Sequence, residues 1–412
     1  MRIVVCDYSG HPFQVELSRC LASRGHAVLH LHFAEFQTPK GELAVLPVDP
    51  PNFRVEGIST GRGFDKRQFL RRPFLEAKVG SLFAARALRF GADVVVGCNM
   101  PLDAQRKLRA ACATRGVRFV FWLQDIYSQA IHHYLSAKLG ILGHAIGLYY
   151  RRLEGELLRS SDAVVAISEK FLEPLSRWGV GGLTVRVIPN WAPLSEIYPV
   201  AKDNPWARRH GLHDKLVALY TGTLGLKHDP ALLLELAQAS ASSGLHVVVV
   251  SEGAGADWLA ERKRELHVGN LMILPFQPME QYPKVLGAGD LLLAMVGEEA
   301  AAFSVPSKIL SYLAAGKPIV ASIPGDNDAA MAIRTAAAGF IVDPRDRSGF
   351  VVNTLRLASS ADLRATLGGN ARAVAERRFD INTITDRFEE LFSPLLQHGN
   401  ATQGLASLAP AQ

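Results

Sequence analysis

Residues 2–23 read Arg2-Ile-Val-Val-Cys-Asp-Tyr-Ser-Gly10-His11-Pro12-Phe-Gln-Val-Glu-Leu-Ser-Arg-Cys-Leu-Ala-Ser23. A β-branched run at 2–5 passes through a glycine turn into residues 13–23, where apolar positions recur at helical spacing. The same unit returns along the first half of the chain. Strands are expected at 93–97, 118–123, 163–168 and 184–188, with a helix over 103–114. After Pro189-Asn190-Trp191-Ala192-Pro193 and a charged stretch at 203–214, read as an interdomain link, the alternation restarts. Strands are then expected at 216–220, 246–250, 271–274, 291–294, 319–322 and 340–342. Continuous apolar strands alternating with helices predict parallel sheets covered on both faces. The fold class is therefore α/β: two doubly wound, Rossmann-like domains whose strand carboxyl ends face across a cleft, where ligands of such folds bind. Helical periodicity resumes over 360–392.

Composition agrees. The chain has 412 residues, 48% apolar and 20% charged, which suits two or three globular domains and excludes a disordered or collagen-like chain. No apolar run reaches the ~18 residues of a spanning helix, and the start lacks the pattern of a secretory signal. Cys6, Cys20, Cys98 and Cys112 form no C-x-x-C pair, which fits a reducing compartment and argues against structural zinc. Residues 1–190 hold 25 Lys+Arg against 16 Asp+Glu, whereas the remainder is slightly acidic. An anionic partner for the first half follows: nucleic acid, an anionic membrane surface or a phosphorylated substrate.

Several loops could carry chemistry. Gly10 allows close backbone approach, and the helix start near Phe13 should offer N–H groups to a phosphate or sugar hydroxyl; His11 either caps that helix or meets a ligand. The turn lacks G-x-G-x-x-G, which disfavours a nicotinamide dinucleotide. Asp125 ends the apolar run Phe119-Val-Phe-Trp-Leu-Gln-Asp125, as an N-cap or a cleft carboxylate. His132-His133 lacks a third ligand for a metal. In Tyr220-Thr-Gly222-Thr223-Leu-Gly225-Leu-Lys227, two glycines and a cation can cradle a phosphate. Ser251-Glu252-Gly253-Ala-Gly255 is a second glycine turn. Pro306 opens a helix whose first turn carries Ser307 and Lys308, so that a hydroxyl, N–H groups, the helix dipole and an ammonium converge on an anion site. Asp326-Asn327-Asp328 is read as a helix start, not as a metal-binding Asp-x-Asp. Lys66, Arg67, Arg71 and Arg72 alternate with Phe64, Phe69, Leu70 and Phe74, and Arg151-Arg152 follow apolar residues 141–150; both patches suit either a solvated helix face or an anionic bilayer.

Taken together, these motifs make the sequence resemble the family 4 retaining glycosyltransferases of GT-B architecture. Arg24-Gly25-His26 before the second strand, Asp162-Ala-Val-Val-Ala-Ile-Ser168, Val187-Ile-Pro-Asn190, Tyr220 to Gly225, and Pro306-Ser-Lys308 through Gly316-Lys-Pro318 carry the likeness, which is nearest the bacterial branch of colanic-acid and O-antigen transferases. The resemblance implies an acceptor-binding domain at 1–190 and a nucleotide-sugar-binding domain at 191–375. A helix at 376–395 would pack back on the first domain, and 396–412 would form a disordered tail. It implies transfer of a sugar from a nucleotide-diphosphate sugar, UDP-linked by expectation, to a lipid-linked saccharide or oligosaccharide acceptor in cell-surface polysaccharide biosynthesis. No cofactor, metal or nucleic acid is expected. The expected location is cytoplasmic, peripheral on the inner face of the cell membrane.

Carried over by position, Lys227 and Lys308 are the catalytic cations, and Gly10, Gly222, Thr223, Glu252, Gly253, Ser304, Val305, Ser307 and Ser311 are donor-binding. His11, Asn99 and Asp125 lie on the acceptor side, with Asp125 as base or positioning group. The family commonly has Arg at Thr223, and its Glu-x7-Glu pair falls on Phe303 and Ser311 here, which implies altered donor recognition. A catalytically silent nucleotide-sugar-binding subunit and a nucleotide-sugar 2-epimerase are the alternatives.

Overall fold

The computed structural model describes residues 1–36, 41–61, 71–182, 185–224, 229–296 and 307–406. The chain divides into two compact units, Met1–Asn190 with Ile381–Gln412, and Trp191–Asp380.

The first unit is built on β1 (Arg2–Asp7), β2 (Ala27–Phe33), β3 (Phe53–Ile58), β4 (Val94–Cys98), β5 (Arg118–Leu123), β6 (Ala163–Ala166) and β7 (Val185–Val187), in the order β3-β2-β1-β4-β5-β6-β7. Every pairing is parallel; Val5, for example, lies opposite His30 of β2 and Val96 of β4. β-Branched residues fill the interior because both faces are covered by helices: Val4, Val5, Val95, Val96 and Val120 expose no surface. Strand β3 is not among the expected strands, and β2 is anticipated only through the resemblance.

The second unit repeats the plan with β8 (Leu216–Thr221), β9 (Leu245–Val250), β10 (Leu271–Leu274), β11 (Leu291–Met295), β12 (Ile319–Ser322) and β13 (Gly339–Val342), ordered β10-β9-β8-β11-β12-β13 and all parallel. Period two is visible in the packing. Val217 and Leu219 enter one core, while Ala218 and Tyr220 enter the core on the opposite face. Each sheet thus contains the 3-2-1-4-5-6 order of dinucleotide-binding folds. The order reverses beside β1 and β4 in the first unit and beside β8 and β11 in the second, and these switch points are where such sheets bind ligands.

Three departures from the sequence reading matter. The stretch 203–214, read as a link, belongs to the second unit. Asn204 caps helix Pro205–Arg209 by accepting from Trp206 and Ala207 N–H at 3.0 and 3.1 Å, and Trp206 and Leu212 are buried in the core.

The periodicity over 360–392 is two helices, Ala361–Arg378 and Ile381–Ala406. They part at Phe379, whose carbonyl accepts from Ala192 N–H at 2.8 Å. The boundary between units accordingly falls after Asp380 instead of after 375. The second helix runs into the stretch expected to be disordered, and 407–412 lie outside the described residues. It groups with the first unit, where Phe388 meets Trp122 edge-on with centroids 5.0 Å apart and Glu389 pairs with both His26 and Arg24 at 2.6 Å.

Helix Tyr127–Ser160 is interrupted at Gly140, whose φ of 55° and ψ of −128° are not helical, so the element is a helical hairpin. Its arms approach closely: a Cβ on Gly143 would lie 1.9 Å from Leu135 O, and one on Gly147 2.2 Å from His132 Cδ2. Only glycine permits that spacing.

Candidate functional site

In the second unit, the C-terminal end of β8 is pinned by tyrosines. Thr221 N–H donates to Tyr312 Oη at 3.0 Å, and Thr221 Oγ1 shares hydrogen bonds with Tyr282 Oη at 3.0 Å and Tyr312 Oη at 3.1 Å. Tyr312 Oη also donates to Leu293 O of β11 at 3.2 Å, which ties the two strands at the switch point.

The chain then turns at Gly222, with φ 109°, and its N–H donates to Val250 O at 3.1 Å. A second glycine turn follows β9 at Gly253, φ 112°. The turns are laced together, since Leu224 N–H donates to Glu252 O at 3.3 Å and Gly255 N–H to Leu224 O at 2.9 Å.

Lys308, in the first turn of helix Ser307–Ala314, reaches into this corner. Its Nζ donates to Tyr220 Oη at 3.1 Å and sits 4.3 Å from the centre of that ring. Tyr220 Oη passes the orientation on by donating to Thr223 O at 3.1 Å. A Cβ on Gly222 would come within 3.2 Å of the ammonium, so glycine leaves the space above Lys308 open. Lys308 has no carboxylate partner among the described residues. Desolvation lowers its pKa to about 8. A cation held in a dry corner with no counter-charge among the described residues, beside two glycine turns, is an arrangement suited to an anion.

Of the residues singled out from the sequence, Gly222, Thr223, Glu252, Gly253 and Lys308 are gathered at this corner. The Glu252 carboxylate is engaged in part, because Phe276 N–H donates to its Oε1 at 3.2 Å. Ser311 lies one turn beyond Lys308 on the same side of the helix. Lys227, Ser304 and Val305 lie outside the described residues, as do Gly225, Phe303 and the Ser307 side chain. Asn327 accepts from Ala329 N–H at 3.0 Å and so caps helix Asp328–Thr335, which makes the acidic triplet a helix start.

The switch point of the first unit is organised by a residue the sequence reading missed. Asp7, fully buried at the end of β1, accepts from Ser9 N–H at 3.1 Å and His11 N–H at 2.6 Å. Burial raises its pKa to about 7, against the lowering effect of those amides, the Gly10 amide and the Asn99 side chain. Amides just ahead of the first helix are thus used within the protein. His11 and Ser9 spend theirs on Asp7, and Pro12 at the first helical position has none. Nor does the His11 side chain cap the helix. Gly10, φ 76°, lets the loop wrap around the carboxylate.

Asn99, itself left-handed at φ 46°, follows β4, and its carbonyl lies 3.5 Å from Ser9 Oγ. Asp125 follows β5 and is not an N-cap. It is accessible to solvent with protein massed behind it, and the resulting desolvation raises its pKa above the usual carboxylate range. The cap of helix Tyr127–Ser160 is Glu154, fully buried, which accepts from Tyr127 and Ser128 N–H, each at 3.0 Å. A sequence signal for Glu154 was absent, because the hairpin brings it back 26 residues from Ser128. His132 pairs with His144, 2.9 Å between ring nitrogens.

Two family profiles match the chain: Glycosyl transferase 4-like domain over residues 11–191 and Glycosyl transferases group 1 over 215–360. Among curated relatives, WcaI of Escherichia coli (strain K12), assigned as a colanic acid biosynthesis glycosyl transferase, is 27% identical over 58% of this chain and 59% of its own length. WbjE of Pseudomonas aeruginosa, assigned as a glycosyltransferase, is 25% identical over 85% of this chain and 87% of its own. Sucrose-phosphate synthase from Thermosynechococcus elongatus superposes with TM-score 0.68 at 16% identity, covering 97% of this chain and 100% of that one. Anabaena Alr3699/HepE in complex with UDP-glucose superposes with TM-score 0.67 at 19% identity, covering 96% and 100%. The second sheet lies inside one matching profile and the first, apart from β1, inside the other, which leaves one assignment: the chain belongs to the glycosyltransferase 4-like family and is a glycosyltransferase of the GT-B fold class.

Proposed function

We propose that the protein transfers a sugar, with retention at the anomeric carbon, from a nucleotide-diphosphate donor held by the second unit to a saccharide acceptor held by the first. The observation that carries this reading is the Lys308 ammonium, which donates to a tyrosine hydroxyl, has no carboxylate partner among the described residues and faces the Gly222 turn. A diphosphate supplies the missing charge. As the sugar–phosphate bond breaks, negative charge grows on the departing diphosphate, and a preorganised cation stabilises that charge more than it stabilises the bound donor. Lys227 adds a second cation in this reading. Asp125 is the acceptor-side carboxylate, and its raised pKa suits a group that accepts a proton or orients a hydroxyl. UDP is the favoured nucleotide, because the Alr3699/HepE structure holds UDP-glucose. A role in polysaccharide assembly is favoured by the WcaI name, which refers to colanic acid biosynthesis, and a lipid-linked acceptor is what the family resemblance implies.

Thermal unfolding against a panel of nucleotides and nucleotide sugars tests the donor. A ligand at ~100 times its dissociation constant adds ~2.7 kcal/mol of stability, and the absence of any shift across the panel would falsify the reading. Radiolabel from the favoured donor should then appear in a lipid fraction. Label that stays in donor despite tight binding points to a silent subunit, a reading that the Phe303 and Ser311 replacements favour. Activity is expected to survive EDTA, because the acidic triplet at 326–328 serves as a helix start.

A further inference from the structure

The helical hairpin Tyr127–Ser160 turns a face outward that has the pattern of a buried one. Ile141 is 91% exposed, Leu142 64%, Leu148 47% and Tyr149 50%, and Leu139 and Tyr134 on the first arm are also exposed. Positions 141, 142, 145, 148 and 149 are spaced i, i+1, i+4, i+7 and i+8, the stripe by which an amphipathic helix packs on a core. Here the close packing between the arms is made by the opposite, small-residue side, at Gly143 and Gly147. The bulky stripe is left to water. Phe74, 80% exposed, extends it across a surface hollow of ≈ 570 Å³ lined also by Tyr149, Ile146, Arg106 and Lys107.

Charge decides what covers such a face. No Asp or Glu occurs from Tyr127 to Leu153, whereas Lys138, Arg151 and Arg152 do. Arg152 continues the stripe one turn beyond Tyr149. It pairs with Glu156 at 2.9 Å, and Arg106 pairs with Asp103 at 3.0 Å, but Arg151 and Lys107 have no carboxylate partner among the described residues. An apolar stripe that carries no acid of its own and is bordered by cations, with Glu156 and the buried Asp103 each taken up by an arginine, complements an anionic lipid surface: the side chains enter the acyl boundary while the cations remain among the headgroups.

We propose that this hairpin is the membrane-docking element of the protein, lying in the plane of an anionic bilayer with Ile141, Leu142, Leu148 and Tyr149 inserted and Lys138, Arg151 and Arg152 at the headgroups. The proposal deepens the reading of a lipid-linked acceptor, yet its test needs neither donor nor acceptor. The full chain is sedimented with vesicles of phosphatidylcholine alone and of phosphatidylcholine with about 30% phosphatidylglycerol. Wild type should bind the anionic vesicles. Ile141→Ser/Leu142→Ser should weaken that binding about tenfold at any salt concentration. Lys138→Gln/Arg151→Gln should remove the preference for anionic lipid and most of the loss of binding on raising salt from about 0.1 to about 0.5 M. Both variants change exposed residues, and unaltered thermal unfolding with and without UDP would show that fold and donor corner are intact. Anionic-vesicle binding that is absent in wild type, or equal in wild type and the serine variant, overturns the proposal. So does a wild-type dimer, seen by light scattering, that the serine change dissociates without affecting vesicle binding, since the face would then join two copies of the chain. Failure of donor transfer with vesicle binding intact would count against the enzymatic reading alone.

Discussion

Lys308 and Tyr220 form the pair on which the proposed donor corner depends. Lys308→Ala removes one charge-assisted contact and is expected to weaken UDP binding by about 1.5–3 kcal/mol, measured by calorimetry. Tyr220→Phe keeps the ring and deletes the acceptor of the lysine proton, so a smaller loss of about 0.5–1.5 kcal/mol is expected. The depressed pKa gives a sharper test. Desolvation holds Lys308 near 8, and a bound diphosphate favours its charged form and raises that value. At pH 8 to 9 the free protein carries partly neutral Lys308, so UDP binding should take up protons, seen as a dependence of binding heat on buffer ionisation. The uptake should vanish in Lys308→Ala. Of this pair only the lysine was legible, since a Pro-Ser-Lys helix start announces an anion site. A tyrosine inside an apolar strand reads as core, and Tyr220 and Tyr312 are indeed buried. Their hydroxyls matter through neighbours 88 and 91 residues away, a separation that periodicity does not reveal.

Elements were legible in proportion to their apolar uniformity. Strands β4, β5, β8, β9 and β11 are continuous apolar runs and were placed to within a residue or two. β2 carries His30 and His32, and β3 mixes Arg54 and Glu56 with apolar residues. These are the outer two strands on one side of the first sheet, where composition relaxes. The helical hairpin was legible as helix but not as hairpin, because the decisive feature is one backbone conformation at Gly140.

Glu154, which caps the first arm from the second, supplies a prediction at this scale. Burial raises its pKa to about 7, so between its unfolded value near 4.5 and 7 the native state binds more protons than the unfolded chain. Stability from this group therefore falls as pH rises through that window and levels off above it. Glu154→Gln cannot titrate and should flatten this part of a pH series of urea unfolding curves. An unchanged slope would mean that Glu154 is ionised in the native protein throughout.

At the scale of the whole molecule, the chain leaves the first unit after Asn190 and re-enters it at Ile381. Helix Ile381–Ala406 contributes Ile384, Phe388 and Phe392, each without exposed surface, together with the Glu389 pairs to His26 and Arg24. Burying side chains of this kind contributes roughly 1.5–3 kcal/mol each, and the three together rival the ~5–15 kcal/mol that stabilise an entire domain. A chain ending at Asp380 should lose the near-ultraviolet circular dichroism of packed Trp122, and its first unit should unfold at markedly lower urea. An unchanged urea midpoint would show the helix to be dispensable. The charge asymmetry read from the sequence belongs to this scale as well. It pointed to an anionic partner of the first half, while the exposed apolar face beside Lys138, Arg151 and Arg152 became visible only when the hairpin set its glycines inward.

The return of the last helix also bears on the order in which a ribosome completes the protein. Domains generally fold as units during synthesis, the N-terminal one first. Here the first sheet emerges early but lacks the cover for Trp122 until the C-terminal residues leave the exit tunnel, by which time all of Trp191–Asp380 has been made. The unit whose synthesis begins first is the one whose folding finishes last, and its exposed aromatic surface is a natural client for chaperones throughout that interval.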